Sequence, residues 1–287
     1  MSAGRPSLKV YVLVDDYARR RGFLGQHGFS ALVEYRDALT TVRVLVDTGQ
    51  DGRVVLSNAR RLGLDLGQVD AILITHGHYD HAGGLLQLLD EVKLEGKPVI
   101  MHPDALKPKL AKRRGKLVSA GVPGLSEEAI RDRKAVPIIS RRPVEISDNI
   151  LSTGEIKRRT EFEQVRGFYT LGPDGLVEDR LLDDQALVVK MPGGLVVVTG
   201  CAHSGLINTV LHAQELTGEE RLLAVVGGFH LEGASREVLE RTVAELKRLG
   251  PEHVYACHCT GLRAFCELSS AFGPRFERLS SGSVVEI

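Results

Sequence analysis

Four metal-capable side chains stand within the six residues His76-Gly77-His78-Tyr79-Asp80-His81. They directly follow Ala71–Thr75, AILIT, which reads as a short buried strand. In an extended loop His76 and His78, two apart, can point to one side. Asp80 and His81 come after a turn and can face a second point nearby. Neutral imidazole and carboxylate are the usual ligands of Zn²⁺, with Fe and Mn as alternatives. Such a centre acidifies water to a pKa of about 7 and polarises a substrate oxygen. The bland alternative is a polar cluster without a role, but clusters of this kind at the ends of core strands are typically functional.

The elements that must hold this segment are legible on both sides of it. Leu8–Val14, Ser30–Tyr35 and Thr41–Asp47 read as strands, and Val54–Leu62 as a helix stopped at Gly63. Gly83–Leu94 has helical spacing through Leu85, Leu88, Leu89 and Val92, and Pro98–His102 reads as a strand. A second strand-rich block begins with Leu187–Met191 and Leu195–Thr199, joined by the turn Pro192-Gly193-Gly194. Leu206–Leu216 reads as a helix and Leu222–Val226 as a strand. Ser235–Leu249 is an amphipathic helix stopped by Gly250-Pro251, and His253–Cys257 is a last core strand. The two halves carry similar sets of elements, which predicts two packed sheets with helices outside.

With 287 residues, 43% hydrophobic and 26% charged, the chain has the mix of a soluble globular protein. Its longest apolar runs are far too short to span a bilayer, and no signal-peptide core precedes Lys9. The four cysteines, Cys201, Cys257, Cys259 and Cys266, form no paired zinc-ribbon pattern and are too sparse for a disulfide scaffold. The expected compartment is therefore reducing and cytoplasmic. Lys plus Arg equals Asp plus Glu at 37 each, yet residues 105–160 hold 14 basic against 6 acidic residues. That stretch suits a local anionic partner, or else a solvated face. Residues 103–145, rich in proline, are expected to be a lid or insertion within a single domain spanning 1–287.

His76-Gly-His78-Tyr-Asp80-His81 resembles the HxHxDH signature of the metallo-β-lactamase superfamily. Asp47-Thr48-Gly49 resembles the upstream motif of that superfamily. Gly200-Cys201-Ala-His203-Ser204-Gly205, Gly227-Gly228-Phe229-His230, His258-Cys259-Thr260-Gly261 and Gln26-His27-Gly28-Phe29-Ser30 are similar to motifs of one subgroup. That subgroup includes the dihydropterin-ribofuranosyl-aminobenzene 5′-phosphate synthase of archaeal methanopterin biosynthesis. The resemblance runs from about residue 8 to residue 282.

It implies an αββα four-layer sandwich with one or two metals at the sheet edge. Carried over to this chain, it implies His76 and His78 on the first metal and Asp80, His81 and His258 on the second. Asp47 would brace the metal loop. Cys201 stands where hydrolases of the superfamily usually carry a bridging aspartate, and a thiolate is a strong Zn²⁺ ligand. No histidine lies between His102 and His203, so the remaining ligand of the first metal is either His203 or Glu155.

Other residues have weaker signals. His230 follows a strand-end Gly-Gly and suits substrate binding or acid catalysis, while Asp80 would orient or deprotonate water. Arg158, Arg159 and His27 are candidate substrate contacts, since arginine pairs bidentately with phosphate oxygens. Cys257 and Cys259 flank His258, and strand alternation puts both on the face opposite it, as core thiols. His102, His212 and His253 carry no motif.

The resulting expectation is a metal-dependent hydrolase or transferase for a small anionic, phosphorylated or pterin-like substrate. It acts off the membrane, and a homo-oligomer is compatible with it. A nucleic-acid processing hydrolase would use the basic stretch as an arm, but zero net charge and the lack of interleaved aromatics argue against it. A non-catalytic metal-binding sensor is the third reading. Turnover lost on His78→Ala with folding retained separates it from the enzymes.

Overall fold

A computed structural model describes residues 5–287; residues 1–4 of the expected domain lie outside the described residues. β1 (Ser7–Val14), β2 (Ser30–Arg36) and β3 (Thr41–Val46) form an antiparallel meander. After α1 (Gly52–Arg61), β4 (Ala71–Leu73) lies parallel to β3. The expected helix over 83–94 is present as the shorter α3 (Leu85–Glu91), preceded by a further short helix, α2 (Tyr79–Ala82). Gly83 and Gly84, both with right-handed helical backbone, lie between them, and Asp80 and His81 sit on the short first turn. Next come β5 (Pro98–Met101), β6 (Leu110–Arg113), β7 (Lys116–Ser119), α4 (Glu127–Asp132), β8 (Val136–Ile139), β9 (Val144–Ser147) and β10 (Ile150–Ser152).

A small hairpin, β11 (Phe168–Gly172) and β12 (Gly175–Glu178), precedes the larger one, β13 (Ala186–Met191) and β14 (Gly194–Thr199). The chain continues through α5 (Leu206–Thr217), β15 (Leu222–Gly228), α6 (Arg236–Leu249) and β16 (His253–Cys257). It closes with α7 (Leu262–Phe272), β17 (Phe276–Arg278) and β18 (Val284–Glu286). One seven-stranded sheet has the order β18-β1-β2-β3-β4-β5-β8, and a second has β17-β16-β15-β14-β13-β10-β9. A third sheet, β12-β11-β6-β7, has four strands. The basic stretch 103–145 is thus shared out: β6 and β7 enter the small sheet, β8 extends the first large sheet and β9 the second.

Strand alternation explains the layers. On β2 and β3, Ala31, Val33, Val44 and Val46 face inward, where they meet Val196, Val198 and Val226 of the second sheet. Leu32 and Leu45 point the other way, onto Val55 of α1 and Leu88 of α3. Val197 and Val225 turn outward in the second sheet, onto Val210, Leu246 and Leu268 of α5, α6 and α7. Both faces of the central strands are therefore apolar, and the result is an αββα sandwich. Removing one of these leucine side chains to the β-carbon costs about 2–5 kcal/mol in a core that cannot collapse. The helices end where the sequence punctuates them: Ser235 caps α6 through the Val238 N–H, and Gly250 ends it in the left-handed region.

Because β1 and β3 are both antiparallel to β2, the strands β1, β3, β4 and β5 run the same way. β14, β15 and β16 are likewise parallel. Their carboxyl ends gather along one edge of the sandwich, the usual place for a site in an open α/β sheet. No helix among the described residues is long and apolar enough to cross a membrane.

Candidate metal centre

Asp47 leaves β3 with φ 57, a conformation costly for a non-glycine residue. The strain places one carboxylate against three groups. Asp47 Oδ1 accepts the Thr75 N–H at 2.7 Å, and Oδ2 accepts the Thr75 hydroxyl at 2.7 Å and meets His81 Nδ1 at 2.6 Å. Gly200 passes over this knot: a β-carbon there would lie 2.1 Å from Thr75 Oγ1 and 2.5 Å from Asp47 Oδ2. The turn between His76 and His78 is pinned separately. Asp183 accepts the Gly77 N–H at 2.8 Å and pairs at 2.7 Å with Lys109, whose ammonium also meets Asp179 at 2.9 Å. All three charged groups are buried.

So held, the side chains converge. His76 Nε2 lies 3.0 Å from His78 Nδ1 and 3.2 Å from His203 Nε2. His81 Nε2 lies 3.2 Å from both His258 Nε2 and Cys201 Sγ. Asp80 Oδ2 stands 3.5 Å from His258 Nε2, 3.7 Å from His81 Nε2 and 3.4 Å from His27 Nε2. Donor atoms of His76, Cys201 and His203 all fall within 4.8 Å of one another, as do those of His81, Cys201 and His258. Cys201 belongs to both groups. Two nitrogens bound to one tetrahedral zinc sit about 3.4 Å apart, so the spacing and the donor types fit a divalent ion in each group.

The two groups differ in what stands behind them. Burial pushes His76 and His203 well below the ordinary imidazole range and His78 down to about 4, so their lone pairs are free at neutral pH. His78 Nε2 and His203 Nδ1 have no hydrogen-bond partner among the described residues. His81 and His258, in contrast, are backed by Asp47 and by Asp16 Oδ1, the latter 2.8 Å from His258 Nδ1. Burial opposes a charge on His258, but Cys259, Asp16 and Asp80 hold its imidazole well above the usual range. The His258 N–H donates to Asp15 Oδ1 at 2.6 Å.

Of the other sequence candidates, His27 reaches the edge of the centre, with Nδ1 3.3 Å from Asp16 and its side chain half exposed. The His230 ring lies 4.2 Å from that of His203. Glu155, the alternative to His203, is instead beside Arg141 and His102. Arg159 is paired with Glu215 on α5, away from the histidines. Arg158 donates to the Leu181 carbonyl at 3.2 Å and lines a neighbouring depression of about 600 Å³ with Arg166 and Arg180.

Cys257 sits in the core between the sheets, but the alternation that put Cys259 there too fails. His258 adopts φ 47 at the end of β16, the strand gives way to a tight turn, and Cys259 swings to the site side. Its sulfur accepts the His230 N–H at 3.3 Å and lies 3.7 Å from the Cys201 carbonyl oxygen.

Sequence reasoning also missed Asp15 and Asp16, although a polar pair directly after a core strand was a usable signal. It missed Lys109 and Phe168 as well, and nothing local in the sequence marks those. Phe168, the first residue of β11, packs 4.8 Å from His78 and 5.4 Å from His203, so the small sheet roofs the histidines. Beside them a cavity of about 700 Å³ is bordered by His203, His230, Phe162, Phe229, Arg166 and Arg241. The Arg241 guanidinium lies 4.4 Å above the Phe162 ring.

Known proteins match nearly the whole length of the chain. The chain is 31% identical over 285 residues to the 7,8-dihydropterin-6-methyl-4-(β-D-ribofuranosyl)-aminobenzene-5′-phosphate synthase of Methanocaldococcus jannaschii, covering 98% of this chain and 97% of that one. It is 35% identical over 263 residues to the uncharacterized protein MJ0448 of the same organism, covering 91% and 93%. Among solved structures, Tm1679, described as a metal-dependent hydrolase of the β-lactamase superfamily, superimposes with a TM-score of 0.81 at 36% identity, covering 98% and 99%. Residues 27–258, which run from the edge histidine to the last histidine of the centre, match the sequence profile of the metallo-beta-lactamase superfamily, and the chain belongs to that superfamily.

Proposed function

We propose that this chain is a metal-dependent hydrolase or transferase acting on a small anionic substrate that is phosphorylated or pterin-like. The observation that supports it most is the meeting of imidazole, carboxylate and thiol donors beside a cavity whose walls carry aromatic rings, Arg166 and Arg241, and the carboxylates of Glu161, Glu163, Glu232 and Glu237. In this reading His76, His78 and His203 hold one ion and Asp80, His81 and His258 a second, with Cys201 common to both. A divalent ion there, zinc for preference and iron or manganese as alternatives, supplies Lewis acidity to a substrate oxygen and acidifies water.

The chain's own residues do the rest. Asp80 is kept ionised by His81 and His258, although burial opposes it, and so remains an acceptor that orients a proton donor. Asp16 raises the pKa of His27, which makes it a donor to an anion at the rim. His230 faces substrate from the cavity floor and serves as hydrogen-bond donor or acid. Arg166 and Arg158, which line the neighbouring depression, receive the anionic group, whereas Arg159 is turned toward Glu215, a carboxylate it shares with Lys157. Phe162 and Arg241 offer a flat surface to a heterocycle.

Hydrolysis and condensation differ in what leaves. The 31% identity to the synthase over nearly the whole chain favours condensation of a pterin methyl diphosphate with an aminobenzene ribotide. The test is one protein and two assays, with metal-loaded wild type and His78→Ala. Pyrophosphate release that requires both pterin and ribotide supports the transferase. Release of a product from phosphodiester, thioester or lactone substrates alone supports the hydrolase. Metal-loaded, folded protein inactive in every assay overturns the enzyme reading in favour of a metal-binding sensor.

A further inference from the structure

Cys259 has the surroundings of a ligand, not of a core thiol. Its sulfur, a nitrogen of His230 and the sulfur of Cys201 all lie within 4.8 Å of one another. This third group shares Cys201 with the two histidine-centred ones, and its His230 ring lies 4.2 Å from that of His203. The sulfur of Cys259 accepts a backbone N–H from His230, the hydrogen bond that commonly supports a bound thiolate. Room for it is made by Gly228, where a β-carbon would lie 2.8 Å from Cys259 Sγ. Both residues that aim the group, His230 and His258, are non-glycine residues held at φ 47. Two such strained residues beside one sulfur are a cost that a merely packed thiol does not require.

We propose that Cys259 is a metal ligand that forms, with Cys201 and His230, a sulfur-rich position for a thiophilic divalent cation beside the histidine-rich ones. The inference rests on the metal-centre reading above. Thiolates bind as S⁻, so loading this position releases the thiol protons of Cys201 and Cys259 to solvent. Two sulfurs and one nitrogen select zinc-like ions over magnesium or manganese, which prefer oxygen. Binding through one nitrogen of His230 leaves the other for a substrate in the cavity.

The test uses Co²⁺ as the probe, added to saturation to metal-free full-length protein, and reads the near-ultraviolet sulfur-to-cobalt charge-transfer band. Cys266→Ser, which removes an exposed thiol, is the control. Wild type and Cys266→Ser should give the same band, Cys259→Ser a band about half as intense, and Cys201→Ser/Cys259→Ser none. A band unchanged in folded Cys259→Ser but reduced in Cys201→Ser overturns this inference and leaves the metal centre standing. No cobalt bound by the wild type, or a band indifferent to Cys201→Ser, overturns the metal-centre reading itself.

Should Cys259→Ser fail to fold, wild-type protein is alkylated with and without saturating Co²⁺ and the thiols are read by mass. Cys259 protected only by metal supports the proposal. Equal labelling of Cys259 in both states overturns it.

Discussion

The two halves of the centre solve the same problem by different means. No carboxylate among the described residues backs His76, His78 or His203: burial keeps them neutral, His76 Nδ1 meets only the Thr75 hydroxyl, and the turn that carries two of them is pinned through its backbone by Asp183 and Lys109. His81 and His258 are held from behind by carboxylates that fix the ring and raise its basicity. One half is preorganised by its scaffold and the other by its outer charges. The difference teaches that the halves should fail differently.

The largest expected effect is from His203→Ala, which takes a nitrogen out of the scaffold-held half. Metal content should fall by the share of that half, and turnover by more than the roughly 100-fold typical of losing an outer partner. Elemental analysis on protein purified without added metal checks the first point. An unchanged metal count would remove His203 from the centre and break the comparison.

Next is Lys109→Met, which leaves Asp179 and Asp183 buried and unpaired. Breaking a buried ion pair from one side costs about 3–5 kcal/mol, to be seen as a lower denaturation midpoint. Because Asp183 also holds Gly77, the metal released first by a chelator should come from the His76 half. Release first from the His258 half would reverse the assignment of scaffolding.

Asp16→Asn should act on the other half alone, lowering its metal affinity about 10–100-fold. Competition with a chromophoric chelator should resolve one weakened ion and one unchanged. Two ions weakened equally would mean that the halves are one cooperative unit.

The smallest effect concerns Glu163, which accepts N–H groups from Ile207 and Asn208 at the start of α5 without touching either half. Burial lifts its carboxyl above the usual 4.5, so the folded chain binds this proton more tightly than the unfolded chain. Its contribution to stability is complete at low pH and is lost as pH rises through the raised value. Glu163→Gln should flatten that slope in unfolding curves taken from about pH 4 to 7 and leave metal content unchanged. A changed metal content would tie α5 to the centre.

What the sequence revealed follows the same division. The metal-capable side chains that sit beside one another, from His76 to His81, were plain from type and spacing, and strand patterning was enough for the four layers. Cys259 was misplaced because alternation was extended two residues beyond the strand, through a histidine whose backbone is left-handed. Arg159 was marked for its charge, and its pairing with Glu215 of α5, 56 positions on, left no local signal. Lys109 sits 70 and 74 positions from its partners, and the small sheet that delivers Phe168 pairs strands separated by the whole of β8, β9 and β10. Long-range pairing of this kind leaves no local signal.

His81 and His258 follow strands of different sheets, β4 and β16, and stand 177 positions apart in the chain, yet their nitrogens are 3.2 Å apart. An ion shared between them is a removable rivet between the two sheets. An ion that binds only the closed seam stabilises it by an amount that grows with the logarithm of the free ion concentration over the dissociation constant. Removing the ion then does more than stop chemistry. It frees the seam along the edge where the strands end, and amide exchange there should quicken while the opposite edge of the sandwich stays protected.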